Sequence, residues 1–384
     1  MKSNKKITLI LIAVIVAALA VSAVIVAEII KLSKPEEIVI TEPLSGDGTG
    51  YYRHCYYELN DAEKELYAAI VQGIGTMPEK IPVKHFEGGD FNKVFSAVSL
   101  DNPDLFSMGL TSILGEDRDG MYFKPDYTMT YEEYAVRLEQ VRTKAYDIAN
   151  AALQYTSLYE RELYVHDYII NNCVYSTQGD DVNSIYGCLI NGVASCEGYS
   201  RAYQYILSLL NIDNRLITGL GYAADGSSEG HMWNYAVIGG KGYFTDITWD
   251  DPVSESGNTV IHKYFNINTD TLLINHADLA QTVPLTTETA DSFFTVENNI
   301  LTYTDDEQLA KAVSDAVFNA LSRGYKNVEF KFNDKETLDT CLDKFFSSGI
   351  LFDAYTGAGL NVSSEDFNVY YSKDEAMLYL CLYF

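Results

Sequence analysis

Positive charge is what this 384-residue chain has least of: 27 Lys and Arg stand against 54 Asp and Glu, a net charge of −27. Beyond residue 34 the balance is 22 basic to 53 acidic. Such a surface repels phosphate backbones and argues against nucleic acid as a partner. Cysteine is sparse as well. Cys55, Cys173, Cys188, Cys196, Cys341 and Cys381 are too few and too scattered for a disulfide framework, and none forms the C-x-x-C pair of a zinc site. One bridge, such as Cys173 with Cys188, is compatible with an exported protein, but the spacing does not select it. No internal repeat is present. Hydrophobic residues make up 47% and aromatics 13%, which excludes a disordered chain.

Charge is missing altogether from Ile7 to Ala27, a run interrupted only by Thr8 and Ser22. As a helix it spans roughly 31 Å, the thickness of a bilayer core. Lys2, Lys5 and Lys6 precede it, so the N-terminus is expected in the cytoplasm and the rest of the chain outside. Ala18-Leu19-Ala20 would suit a signal-peptide cleavage site, but the run stays apolar past it, which favours an uncleaved anchor. The expected organisation is therefore a cytoplasmic stub at 1–6, a single-pass anchor at 7–30 and a linker at 31–50. A mainly helical region at 51–155, a chemistry-bearing domain at 156–285 and a small α+β domain at 286–384 follow.

Capping boxes mark several helix starts: Asn60 with Glu63, Thr130 with Glu133, Ser157 with Glu160, Thr304 with Glu307 and Asn333 with Glu336. The helix after Thr130 keeps its apolar period through Tyr134, Leu138, Val141, Ala145, Ile148 and Ala152. His166 falls on an apolar face with Tyr159, Leu163 and Ile170, and reads as a packed core histidine. Residues 76–128, broken by Pro and Gly, give no assignment. A helix is expected over 196–210 and strands at 215–219, 232–238 and 242–249. Val328, Phe330 and Phe332 alternate as a strand, and 367–372 and 376–383 read as two closing strands.

Chemistry concentrates in three places. Cys196 opens the segment Ser195-Cys196-Glu197-Gly198-Tyr199, at the first turn of a helical pattern, with Gly198 positioned to let a substrate approach the backbone. A thiol of reference pKa about 8.5 ionises more readily at a helix N-terminus beside an imidazolium. A free Cys is otherwise a small buried hydrophobe. The second place is His231-Met232-Trp233-Asn234. The third is Asp246, within Thr245-Asp246-Ile247-Thr248-Trp249-Asp250-Asp251-Pro252. Gly239-Gly240 is a hairpin signal. With that turn as centre, Trp233 faces Asp246, and His231 lies on the diagonal, where a carboxylate can hold Nδ1–H and leave Nε2 for a thiol. Asp250-Asp251-Pro252 reads as a turn ending the strand, and Trp233 and Trp249 as packing, with Trp233 also a candidate cleft wall.

From about Leu163 to Leu279 the chain resembles the bacterial transglutaminase-like superfamily, which shares its core with papain-type thiol proteases. The carrying motifs are Cys196-Glu197-Gly198-Tyr199, His231-Met232-Trp233-Asn234 and Tyr243 to Pro252. The resemblance implies an α+β core with a Cys-bearing helix packed on an antiparallel sheet carrying His and Asp. It implies Cys196 as nucleophile, His231 as general base and then acid, and Asp246 as the orienting carboxylate. Trp233, Gly198 and Tyr199 become cleft candidates, and the backbone N–H of Cys196 an oxyanion donor. Met232 stands where the family more often has Ala. The Ca²⁺ sites of animal transglutaminases have no counterpart here, so no metal or cofactor is expected. The expected partner is a peptide or protein substrate, which would include cell-wall peptide.

Overall fold

The computed structural model describes residues 52–252, 259–360 and 370–383, all within one compact unit, Glu42–Phe384. The apolar run Ile7–Ala27 lies outside the described residues. Among those residues, no helix is long and apolar enough to cross a membrane.

The chain enters through a short helix α1 (His54–Tyr57) and α2 (Asp61–Ile74), whose capping box forms as expected: Asn60 accepts from the Glu63 N–H, and Glu63 accepts from the Asn60 N–H. Residues 76–128 then build β1 (Ile81–Pro82), α3 (Phe91–Asp101), β2 (Met108–Asp117) and β3 (Gly120–Tyr127). Together β1, β3 and β2 form a three-stranded antiparallel sheet. The region is thus less helical than its sequence suggested. Its half-exposed strands alternate poorly, which is why periodicity misses them. Its own core gathers Leu66, Ile70, Val94, Val98 and Phe123.

Helices α4 (Tyr131–Ala152) and α5 (Leu158–Asn172) start at Thr130 and Ser157, each capping the amide three residues on. Strands β4 (Val174–Tyr175) and β5 (Val193–Ala194) pair in parallel and lead into α6 (Cys196–Leu209). Every residue of α6 from Gly198 to Leu209 is buried, because the helix lies between α4 and α5 and the sheet strands β6 (Asn214–Tyr222) and β7 (Ser228–Ile238). That sheet runs β8-β7-β6-β9, with β8 at Lys241–Thr245 and β9 at His276–Ala277, and it is antiparallel throughout. A short helix α7 (Thr269–Leu272) precedes β9. The Gly239–Gly240 turn forms with both residues left-handed, φ 58° and 82°, and fixes Ile238 opposite Lys241.

The C-terminal part holds α8 (Phe293–Val296), β10 (Ile300–Leu301), α9 (Asp306–Arg323), β11 (Asn327–Phe332), α10 (Lys335–Ser347), α11 (Ile350–Gly357), β12 (Tyr370–Asp374) and β13 (Tyr379–Tyr383). Its sheet order is β10-β11-β13-β12, with a separate core around Val317, Phe330, Leu338 and Leu351. Two caps here fall one residue later than expected, at Asp305 and Asp334, whose carboxylates accept from Gln308 and Thr337. An aspartate next to the expected Thr or Asn is an equally good cap, so the sequence alone does not separate neighbouring candidates. All six cysteines are free, Cys173 and Cys188 included.

Candidate active site

The helix α6 begins at Cys196, and the strand entering it is held on one side by the Ser195 N–H donating to the Val182 carbonyl at 2.9 Å. Arg201 pins the helix further: it donates to Glu197 at 2.9 Å and to the Ser99 carbonyl of α3 at 2.6 Å. Across the sheet, Ser200 donates to the Met232 carbonyl and Asn234 donates to the Ser200 carbonyl, both at 3.0 Å. These bonds fix α6 against β7 one turn from Cys196 and one residue from His231.

His231 Nε2 lies 2.7 Å from Asp246 Oδ2, and the Cys196 thiol stands close enough to the ring to help raise its pKa. The three expected residues therefore meet, but the ring is turned the other way from the expectation. The carboxylate takes Nε2, which leaves Nδ1 for the thiol. The cause is where the hairpin ladder ends. Pairing stops at Asn234 with Thr245, so neither Trp233 opposite Asp246 nor His231 opposite Thr248 forms. Asp246 instead begins a turn, with its Oδ1 accepting from the Thr248 and Trp249 amides at 3.1 and 3.2 Å.

A residue the sequence reading missed completes this site. His276 on β9 places Nε2 2.9 Å from Asp246 Oδ2, the same oxygen that His231 uses. Fully buried Asp246 thus receives four hydrogen bonds. Burial alone would raise its pKa, but the charge of His231 and the bonds from both imidazoles hold it below the usual carboxylate range. For His231, burial disfavours the cation, yet Asp246 and then Cys196 outweigh it and raise the imidazole to about 10. The ring is built to be an imidazolium.

Both tryptophans border the imidazoles. Trp249 stacks on His231 at 5.1 Å between centroids, and Trp233 at 5.9 Å. Two glycines of β6 make room for them. A Cβ on Gly221 would meet the Trp249 ring at 2.8 Å, and one on Gly219 would meet the Trp233 ring at 2.7 Å. Nothing in the sequence pattern of β6 announces this, because a glycine in a strand has many causes.

The three cleft candidates do not line a cleft. Tyr199 and Trp233 are fully buried, and the Tyr199 hydroxyl donates to Asp251 at 2.5 Å. Gly198 is needed for protein rather than substrate: a Cβ there would stand 2.4 Å from the Val182 carbonyl. Cys196 itself is partly exposed. Tyr175 stands near it, its phenol pushed up by burial and by the charges of Cys196 and Glu229.

Residues 143–247 match the sequence model of the transglutaminase-like superfamily. This segment is transglutaminase-like. It contains Cys196, His231 and Asp246 and ends before Asp250, His262 and His276, and at this level the chain resembles a family of cysteine-based enzymes. No curated protein matches the chain. Similar solved structures include a candidate cysteine protease from Cytophaga hutchinsonii (20% identity, TM-score 0.24, 30% of this chain and 41% of that one). A protein described as a TGase gives 13% identity and a TM-score of 0.27 over 43% of this chain and 50% of the other. A candidate protease from Parabacteroides distasonis gives 11% and 0.22 over 35% and 30%. The chain spans half or less of the length of each.

Proposed function

We propose that the protein is a membrane-anchored, extracytoplasmic thiol enzyme that cleaves or transfers a peptide or carboxamide acyl group through a thioester on Cys196. The observation that carries this reading is the imidazole of His231, bonded through Nε2 to buried Asp246 with the Cys196 thiol beside it. The anchor rests on Ile7–Ala27 and the lysines before it.

In the proposed cycle, Cys196 Sγ attacks the carbonyl carbon while His231 holds the thiol proton. The negative oxygen of the tetrahedral intermediate takes a hydrogen bond from the Cys196 backbone N–H at the start of α6. His231 Nδ1–H then protonates the leaving nitrogen, the C–N bond breaks and a thioester remains. Water, or a primary amine, gives its proton back to His231 as it attacks the thioester and frees Sγ. Asp246 keeps Nε2–H throughout and so presents Nδ1 to both partners. Hydrolysis is the favoured outcome, because water needs no second binding site.

The test is incubation of the purified protein with a peptide library, with and without a primary amine, read by mass. Products altered by the mass of water, or of the amine, and absent from the Cys196→Ala variant, support the reading. An unchanged library across several libraries and a Cys196 that never acquires an acyl group would instead favour a non-catalytic surface module built on the same core.

A further inference from the structure

A second cluster of histidines and carboxylates lies where the transglutaminase-like core meets the C-terminal part. Helix α5 supplies His166 and Asp167, the segment after the hairpin supplies Asp250 and His262, and β11 supplies Glu329. His166 Nδ1 and His262 Nε2 both point at Asp167 Oδ1, from 2.9 and 3.0 Å. On their far sides, His166 Nε2 meets Asp250 Oδ2 at 3.2 Å and His262 Nδ1 meets Glu329 Oε1 at 2.7 Å. Both histidine side chains are fully buried.

We propose that His166 Nδ1, His262 Nε2 and a carboxylate oxygen of Asp167 form a binding site for a zinc-like divalent transition ion, fastening the C-terminal part to the core. Four observations converge on it. The three donor atoms lie within 4.8 Å of one another. Each imidazole carries a carboxylate on its far nitrogen, the outer partner that orients a metal-bound histidine and sharpens its donor atom. The ring centroids are 5.3 Å apart. Two imidazoles on one tetrahedral ion, with metal–nitrogen bonds of about 2.0 Å, have centroids roughly 5 Å apart. Lastly, Asp167 and Tyr325 line a cavity of about 680 Å³, through which an ion could enter and from which water could fill a fourth position.

The donor set selects the class of ion. Two nitrogens and one oxygen suit zinc and its neighbours, and not calcium or magnesium, which take oxygen ligands. Asp167 would draw back by a few tenths of an ångström to reach usual bond lengths of about 2.0–2.2 Å. The cluster at Asp246 is built differently. His231 has the Cys196 thiol beside it, and His276 Nδ1 faces the Asn275 amide rather than a carboxylate. The sequence shows no such site, because its ligands lie about a hundred residues apart and only His166-Asp167 is local.

The experiment is titration of the full chain, freed of metal by a chelator and kept reduced, with Co²⁺ at pH 7.5, followed by visible absorption. One Co²⁺ should bind per chain with the d–d bands of a four-coordinate nitrogen and oxygen site, no sulfur charge-transfer band, and displacement by Zn²⁺. Cys196→Ala should leave this unchanged, and Asp167→Asn should weaken it at least 100-fold. Zn²⁺ should also raise the melting midpoint of the unmutated chain, a readout that survives if Asp167→Asn does not fold. No binding at micromolar Co²⁺, a melting midpoint indifferent to zinc and chelator, or a spectrum lost in Cys196→Ala would each overturn the proposal.

Discussion

His231 and His276, on β7 and β9, donate to the same oxygen of Asp246, at 2.7 and 2.9 Å. The shared oxygen divides its pull between two rings. Removing the second donor concentrates the carboxylate on His231, so His276→Phe should raise the His231 pKa by on the order of one unit, given about 1.5–3 kcal/mol for a hydrogen bond to a charged group. A more basic imidazolium is a poorer acid, and turnover should fall by about tenfold. His276→Gln, which can still donate, should restore most of both. Histidine NMR titration and the pH profile of turnover check this. An unmoved His231 titration would reduce His276 to packing.

Asp246→Asn follows from the same geometry. All four hydrogen bonds are donated to the carboxylate, so an amide must turn an N–H toward another N–H. We expect a loss of stability of about 1–3 kcal/mol, in addition to a fall in turnover of several orders of magnitude. Denaturant midpoints and kinetics measured on the same preparation separate the two effects. Phe244→Ala, by contrast, should cost about 3–5 kcal/mol with no chemistry of its own, since Phe244 is fully buried.

The pH dependence has a definite sign. His231 is raised from its ordinary 6.5 to about 10 in the folded protein. Its charged pair with Asp246 therefore stabilises the fold fully below about pH 6.5, and that contribution is lost as the pH rises through about 10. The fall in melting midpoint between pH 8 and 10.5 should be larger for the unmutated chain than for His231→Gln. Equal curves would mean that the ring is neutral in the fold.

Gly219 and Gly221 give a packing test. Gly219→Ala sets a Cβ 2.5 Å from the Ala277 carbonyl, a backbone atom that cannot step aside, and should cost about 1–3 kcal/mol. In Gly221→Ala the Cβ meets Trp249 at 2.8 Å and His231 Cβ at 3.4 Å. Because that indole covers His231, this variant should lose turnover more than stability. Thermal melts and kinetics on both variants check the contrast.

Local chemistry made much of this legible. Cys196 at a helix start, the Gly239–Gly240 turn and its register, and three of the five caps can be read from the sequence because each depends on neighbours a few residues away. His276 could not be read. It reaches Asp246 only because β9 adds to β6 at the edge of the sheet, a pairing of just two residues from each strand. His166 was read as a packed histidine from its apolar helix face. It is buried, but Asp250 and Asp167 surround it, and Asp250 arrives from 84 residues away. The ring orientation of His231 was missed for a related reason. The ladder had to be assumed to continue past Thr245, and tertiary contacts with Tyr264 end it there.

The central claim is that Cys196 and His231 form one reactive unit, and selective alkylation tests it most directly. The full chain is treated briefly with limiting iodoacetamide at about pH 6, below the free-thiol range, and digested for peptide mass analysis. Partly exposed Cys196, beside the His231 imidazole, should be labelled well ahead of Cys55, Cys173, Cys188, Cys341 and Cys381, and His231→Ala should slow that labelling by at least tenfold. Uniform labelling, or a Cys196 whose rate does not change when His231 is removed, would contradict the account.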